Sequence, residues 1–360
     1  NEAEEACYAP LQLALWSNDA ETFVGGAQIG LGMNDARDFV GGLQVAPGLN
    51  TAARFAGLGQ VGLRNRATRF VGLGQVGLVS QVGVLDGGEE GLFAGALQLG
   101  IASLAVDASF RGGVQAGLVS STDQDFQGLL QIGVVSATWR TFSGVAQLGV
   151  VNVGSPGIYR ELFDSYRYID GSGDAEASFQ GIVQAGALNL LDRDFEGVLQ
   201  ASALNLIDDD FMGAIQIGAG NYVTGEVMAG LQLAGIANVN DEGFFGAMQL
   251  AGLLNAVDGF RGVAQVAAAN WVANDFTGAA QVGLFNMTRE AHRGLQIGGF
   301  NASESPRGAQ LGVVNVASEV RGAQVGLVNS ADHLEGVQIG ILNLAENGLL
   351  PWMPLLNAGM

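Results

Sequence analysis

One short phrase, G-x-Q-x-G/A-x-x-N/S, recurs along almost the whole chain and constrains the fold more tightly than any other feature. Its Gln stands at 12, 28, 44, 60, 75, 98, 115, 131, 147, 184, 200, 216, 232, 249, 265, 281, 296, 310, 324 and 338, twenty copies in 360 residues. Most intervals are 16, a few are 15 or 17, and the last three are 14. Only two are longer, from 75 to 98 and from 147 to 184. A chain written this way is one array rather than a series of globular domains.

The unit reads as strand. Around each Gln the apolar residues alternate, as in VAQLGVVN, where Ala146, Leu148 and Val150 share one face and Gln147 and Gly149 the other. Two apolar residues in a row, such as Val313 and Val314 or Leu327 and Val328, mark a corner where the inward face changes. Polar turns such as DQD, DRD and DDD close each unit. In the longer copies a Phe lies five before the Gln, from Phe39 to Phe276, and fills extra core volume; from Gln296 on it is missing.

A 14–17-residue unit buries its apolar side only by stacking on copies of itself. The expected fold is therefore all-β, a β-solenoid (β-helix) of about 20 coils with strands about 4.8 Å apart and one inserted loop or short helix. Coils 1–9 fall in residues 1–152, the insertion in 153–178, coils 10–20 in 179–345, and a C-terminal cap or assembly junction in 346–360. Stacking places Gln310, Gln324 and Gln338 in one column and Asn315, Asn329 and Asn343 in another, as amide ladders. Alternation with Val, Ile and Leu favours an outward Gln; an inward Gln in a narrow core stays open. Asn357, 14 after Asn343, suggests a degenerate closing copy with Trp352 in the Gln position.

The phrases GAQLGVVN, GAQVGLVN and GVQIGILN resemble the G-x-Q-x-G-x-x-N repeats of bacterial surface-repeat proteins of the Leptospira type. The resemblance spans about residues 8–345. It implies export and a cell-surface or extracellular location, and it brings no catalytic residues.

Composition agrees with a non-enzymatic surface protein. The formal charge is −20, every basic residue is Arg, and such a surface repels nucleic acid and anionic membrane. No run of about 18 apolar residues predicts a transmembrane helix. The acidic start, NEAEEACYAP, looks like a mature N-terminus after signal-peptide removal. The single Cys7 makes no internal disulfide and reads as a small buried residue, with an intermolecular bridge or lipid attachment as lesser options. His292 and His333 lie in separate turns and read as surface residues. No catalytic or cofactor motif is present. Turn carboxylates Asp192, Asp194, Asp208, Asp209 and Asp210 fall at equivalent positions of adjacent coils; solvated turns explain them, with calcium as the lesser option.

Function is expected at the irregular segments and the ends. Residues 81–92 read as a bulged loop. The insertion holds Tyr159, Arg160, Phe163, Tyr166, Arg167 and Tyr168, which either cover the solenoid or contact a surface ligand. The C-terminal segment carries Leu349, Leu350, Trp352, Met353, Leu355 and Leu356, an apolar set that either caps the last coil or joins another copy. The chain is 48 % hydrophobic with a mean hydropathy of +0.29, more than a thin solenoid interior accounts for, and outer faces of Gly and Ala would suit side-by-side packing. A self-assembling fibre subunit is the leading expectation and a monomeric adhesin presenting 153–178 the alternative. Ice binding, a membrane barrel and an enzyme fit less well: Thr ladders are lacking, the units do not alternate short and long turns, and no chemistry is assembled.

Overall fold

A computed structural model describes residues 2–83, 90–154 and 178–360. The chain is 81 % strand, with parallel coils stacked into a β-solenoid of about 19 turns and no helix among the described residues. It divides into two compact units, 1–197 and 198–360.

Each coil has three sides, and five-residue steps explain why. In one coil of the first unit, Phe126–Ile132 is a strand, the chain bends at Gly133 and Val134, and Val135–Thr138 follows. Where the first stretch also bends, at Gly181 and Ile182, it splits into Phe179–Gln180 and Val183–Ala185. Phe126, Gln131 and Ser136 are thus five apart, one to a side, and all point inward. The doubled apolar residues do mark a corner: Val134 is on the bend, solvent-facing, and Val135 starts the next side.

Stacking is in strict register. Phe110, Phe126 and Phe142 pair as neighbours, as do Gln115, Gln131 and Gln147. In the first unit the buried Phe column begins at Phe23, and successive rings from Phe23 to Phe195 lie 4.7–5.1 Å apart. That is the strand spacing itself, so the backbone ladder sets the ring stacking. Each buried Phe contributes roughly 1.5–3 kcal/mol. The Gly two residues after a Phe leaves room for the ring: a Cβ on Gly128 would lie 2.8 Å from the Phe126 ring tip.

In the second unit the column runs Phe211, Val227, Phe244, Phe260 and Phe276, all buried. The shorter coils do not leave the position vacant. His292, Pro306, Val320 and Leu334 take it, one residue closer to the Gln, and are buried. Two residues on, Gly294, Gly308, Gly322 and Gly336 have φ of 139–147°, a conformation suited to Gly alone. The lost residues come out of the chain path while the inward position keeps an occupant.

The interruptions leave the first unit's stack continuous. Phe142 pairs with Phe179, Gln147 with Gln184 and Asn152 with Asn189 across the insertion. Val79–Gly83 likewise pairs with Ala102–Val106. Residues 84–89 and 155–177 lie outside the described residues, and with them Tyr159, Arg160, Phe163, Tyr166, Arg167 and Tyr168.

The C-terminus departs from the repeat. Trp352–Gly359 runs antiparallel on Val328–Ala345, with Gln338 beside Asn357 and Leu344 beside Trp352. It is not a degenerate twenty-first coil, because a further coil would run parallel and set Asn357 on Asn343. Pairing breaks between Gly340 and Asn343, opposite Pro354, which has no N–H to donate. The segment covers the edge of the last coil, which is the geometry of a cap.

In an uninterrupted coil three residues link Thr138 to Phe142. Replacing 155–177 by two residues, so that three join Gly154 to Phe179, is expected to leave the far-UV circular dichroism and the melting temperature nearly unchanged. Loss of cooperative melting would show that the insertion holds the neighbouring coils together.

Candidate functional site

The interior is lined by amides. Every ladder Gln from Gln28 onward, and every ladder Asn, is buried, including Gln310, Gln324, Gln338, Asn315, Asn329 and Asn343. This corrects the outward reading of the Gln. Alternation shows which residues share a face but not which face is inner; hydrophobicity predicts the apolar set to be inner, whereas Gln131 points in and its neighbours Leu130 and Ile132 face outward. An unpaired amide buried this way costs roughly 2–7 kcal/mol; the ladder supplies the partners.

The two ladders run in opposite directions. Within each unit every Gln after the first donates Nε2–H to the Oε1 of the Gln one coil earlier, at 2.7–3.3 Å in the first unit and 2.7–2.9 Å in the second. Each Asn donates Nδ2–H to the Oδ1 of the Asn one coil later, at 2.7–3.0 Å in the second unit. In most coils the second Asn proton goes to a corner carbonyl of the next coil, as from Asn315 to Val325 at 3.0 Å. Several Gln serve a carbonyl of their own coil, as Gln338 does Leu344 at 2.9 Å.

In the first unit Ser80, Ser103, Ser120 and Ser136 replace Asn. Each hydroxyl reaches the same corner carbonyl, at 2.7–3.0 Å, and is too short to reach the next coil's side chain. Ladder polarity then accounts for the unpaired buried oxygens. Asn18 Oδ1 and Asn152 Oδ1 begin Asn ladders with no donor before them, and Gln338 Oε1 ends the Gln ladder with no donor after it. Asn357 lies beside Gln338 but turns its amide to the Leu350 carbonyl, at 3.1 Å.

His292 is a second correction, since it is buried rather than on the surface. Its ring stacks on Phe276 at 4.4 Å, its Nδ1 lies 3.3 Å from the Thr288 hydroxyl, and its Nε2 has no partner among the described residues. Burial pushes its pKa down from 6.5 to about 4. The available signal was its place four before Gln296, where the Phe column continues in a coil one residue shorter. His333 is exposed, 4.0 Å from Glu335.

Charge is sorted around the coil. From two residues before to four after each of the twenty Gln, the only charged residue is Arg64. The acids lie mainly in the turns that close each coil, at the corner opposite the Gln-centred side. Within the second unit the Asp210 carboxylate accepts from the Glu226 N–H at 2.7 Å, and Asp208 from the Thr224 hydroxyl at 3.4 Å. Asp192 and Asp194 belong to the first unit. Asp123, also in the first unit, has its pKa raised to about 6 by burial, opposed by the Asp107 N–H that donates to it.

The charge-free side is apolar and open to solvent. Val, Ile and Leu share its outward positions with the expected Gly and Ala. Leu284 is 64 % exposed, Leu327 51 % and Ile341 68 %. Val266, Val282, Ile297 and Leu311 line a shallow trough in which Gly299 leaves a hollow beside Leu284. Leu349 and Leu350 in the bend before the C-terminal strand, and Trp352, Leu355 and Leu356 on it, are exposed and Met353 is half-buried, so this segment adds apolar surface. Leu355 has a φ of 70°, rare for a residue with a side chain. Cys7 is free and half-buried, in register with Phe23 at the head of the Phe column; it was expected to be buried.

No family model, no curated protein and no solved structure matches this chain.

Gln131→Leu leaves a Gln147 Nε2–H without its acceptor, whereas Gln338→Leu, at the ladder's last rung, strands no such donor. Urea unfolding should show Gln131→Leu costing about 1–3 kcal/mol more than Gln338→Leu. Equal costs would mean that the ladder bond itself adds nothing. His292 gives a pH test. Between pH 6.5 and about 4 the unfolded imidazole takes up a proton that the folded one refuses, so stability falls as pH drops through that window. The full loss is roughly 3 kcal/mol, and Asp123, protonated first in the folded state, acts with the opposite sign. His292→Leu should therefore lose less stability between pH 7 and 4.5 than the parent; identical acid profiles would refute the assignment.

Proposed function

We propose that this protein is a non-enzymatic structural subunit of the cell surface or extracellular space that acts by self-association. The observation that carries the reading is the extent of exposed apolar surface. Monomeric soluble proteins seldom expose contiguous apolar patches beyond a few hundred Å², whereas here an apolar, charge-free side repeats coil after coil. The interior supports the same reading: stacked Phe, Gln and Asn occupy the inward positions, which leaves the outside to do the work. The resemblance to bacterial surface-repeat proteins supports the location. Copies of the chain itself are the proposed partner; no cofactor is invoked.

The −20 charge opposes association at long range, and salt screens it, with a Debye length of about 8 Å at physiological ionic strength. Light scattering should therefore give a mass above 37.0 kDa that grows with protein concentration and with salt up to moderate levels. Negative-stain images of the same samples should show multimers. Trp352→Ala with Leu355→Ala should reduce assembly if the exposed cap takes part. A monodisperse monomer at every concentration and salt would sink the reading.

A further inference from the structure

Resting on that reading, we infer that two copies of this chain pack face to face through the Gln-centred side of the second unit. Ten coils form this side, from Gln200 to Gln338. Between the corner two residues before each Gln and the corner three after it, none carries a charge. Interface cores are depleted in charge in the same way. At about 4.8 Å per coil and 3.3 Å per residue the side covers roughly 50 by 16 Å, about 800 Å². That is close to the ~800 Å² per partner of a standard stable interface.

Three features select a second copy as the occupant. The first is pitch. Ile297, Leu311, Val325 and Ile339 form one outward column, and Val313, Leu327 and Ile341 a second at the corner, each repeating once per coil. Only a surface with the same repeat meets these columns at every coil, as paired sheets do in steric zippers; an unrelated protein would match at a few points. The second is relief. Leu284 projects while Gly299 and Ala268 on the neighbouring coils leave the trough beside it. A twofold pair places identical surfaces against each other, so a side that carries both projection and hollow can complement itself. The third is charge. The acidic turns form the corner opposite this side, so face-to-face packing sends both acidic edges outward, more than a Debye length apart. A lipid surface satisfies only the apolarity, and an anionic one is repelled.

The test uses the full chain at physiological salt. Sedimentation velocity compares wild type, Leu311→Lys with Val325→Lys on the proposed face, and Val316→Lys with Ser330→Lys on the neighbouring side. Circular dichroism and melting verify that each variant is folded; if the lysine pair does not fold, Leu311→Thr with Val325→Thr replaces it. The expected result is a wild-type dimer or larger assembly, weakened about tenfold or more by the face pair, 1.4 kcal/mol per tenfold, and unchanged in the control pair. Assembly that persists in the face pair but is lost in Trp352→Ala with Leu355→Ala overturns this inference and leaves the proposed function standing. A wild-type monomer under all conditions overturns both. Flotation with phosphatidylcholine vesicles supplies the last arm: a wild-type monomer that binds them, with binding lost in the face pair, assigns the face to lipid and overturns the inference.

Discussion

The amide-to-amide hydrogen bond between successive coils is the interaction on which the rest of this structure depends. A primary amide has two donors and two acceptor sites, so it can bond to the coil before, the coil after and a corner carbonyl. Gln and Asn both do this, with opposite polarity. The spacing must match that of the strands, and the Phe rings inherit it. A single misplaced coil would leave several buried donors and acceptors unpaired at once, which is why the phrase varies so little at Gln and so freely outside it.

Much of this was legible in the sequence, and what was not has identifiable causes. The period, the parallel stack, the corner after each Gln and the buried Phe all follow from spacing and hydrophobicity. The inward Gln was missed because alternation shows which residues share a face and not which face is inner, and hydrophobicity assigned the core to the wrong face. His292 was missed because the coil that holds it is one residue shorter, which moves the inward position from five to four before the Gln. The C-terminal strand was misread because Asn357 continues the spacing of the Asn column while the chain has reversed direction. Spacing cannot report direction. The Leu, Val and Ile of the outer side were counted as alternating strand residues, and their solvent exposure became visible only once the Gln was placed inside.

That inversion bears on function. When the most regular polar residues are interior, the surface can no longer be read from the motif. What remains outside is an apolar side without charge and an opposite corner rich in carboxylates. The proposed self-association follows from this division: the carboxylates would oppose contact at low salt, and the apolar side would favour it once they are screened.

The opposed ladders have one more consequence. In an α-helix every peptide dipole points the same way, and the ends carry opposite partial charges. In the second unit a column of Gln amides aligned one way runs beside a column of Asn amides aligned the other, and the two sets of dipoles oppose each other. Coils can therefore be duplicated or deleted during evolution without building up a field along the axis. Within the second unit's paired Gln and Asn columns, each added coil brings one amide of each polarity.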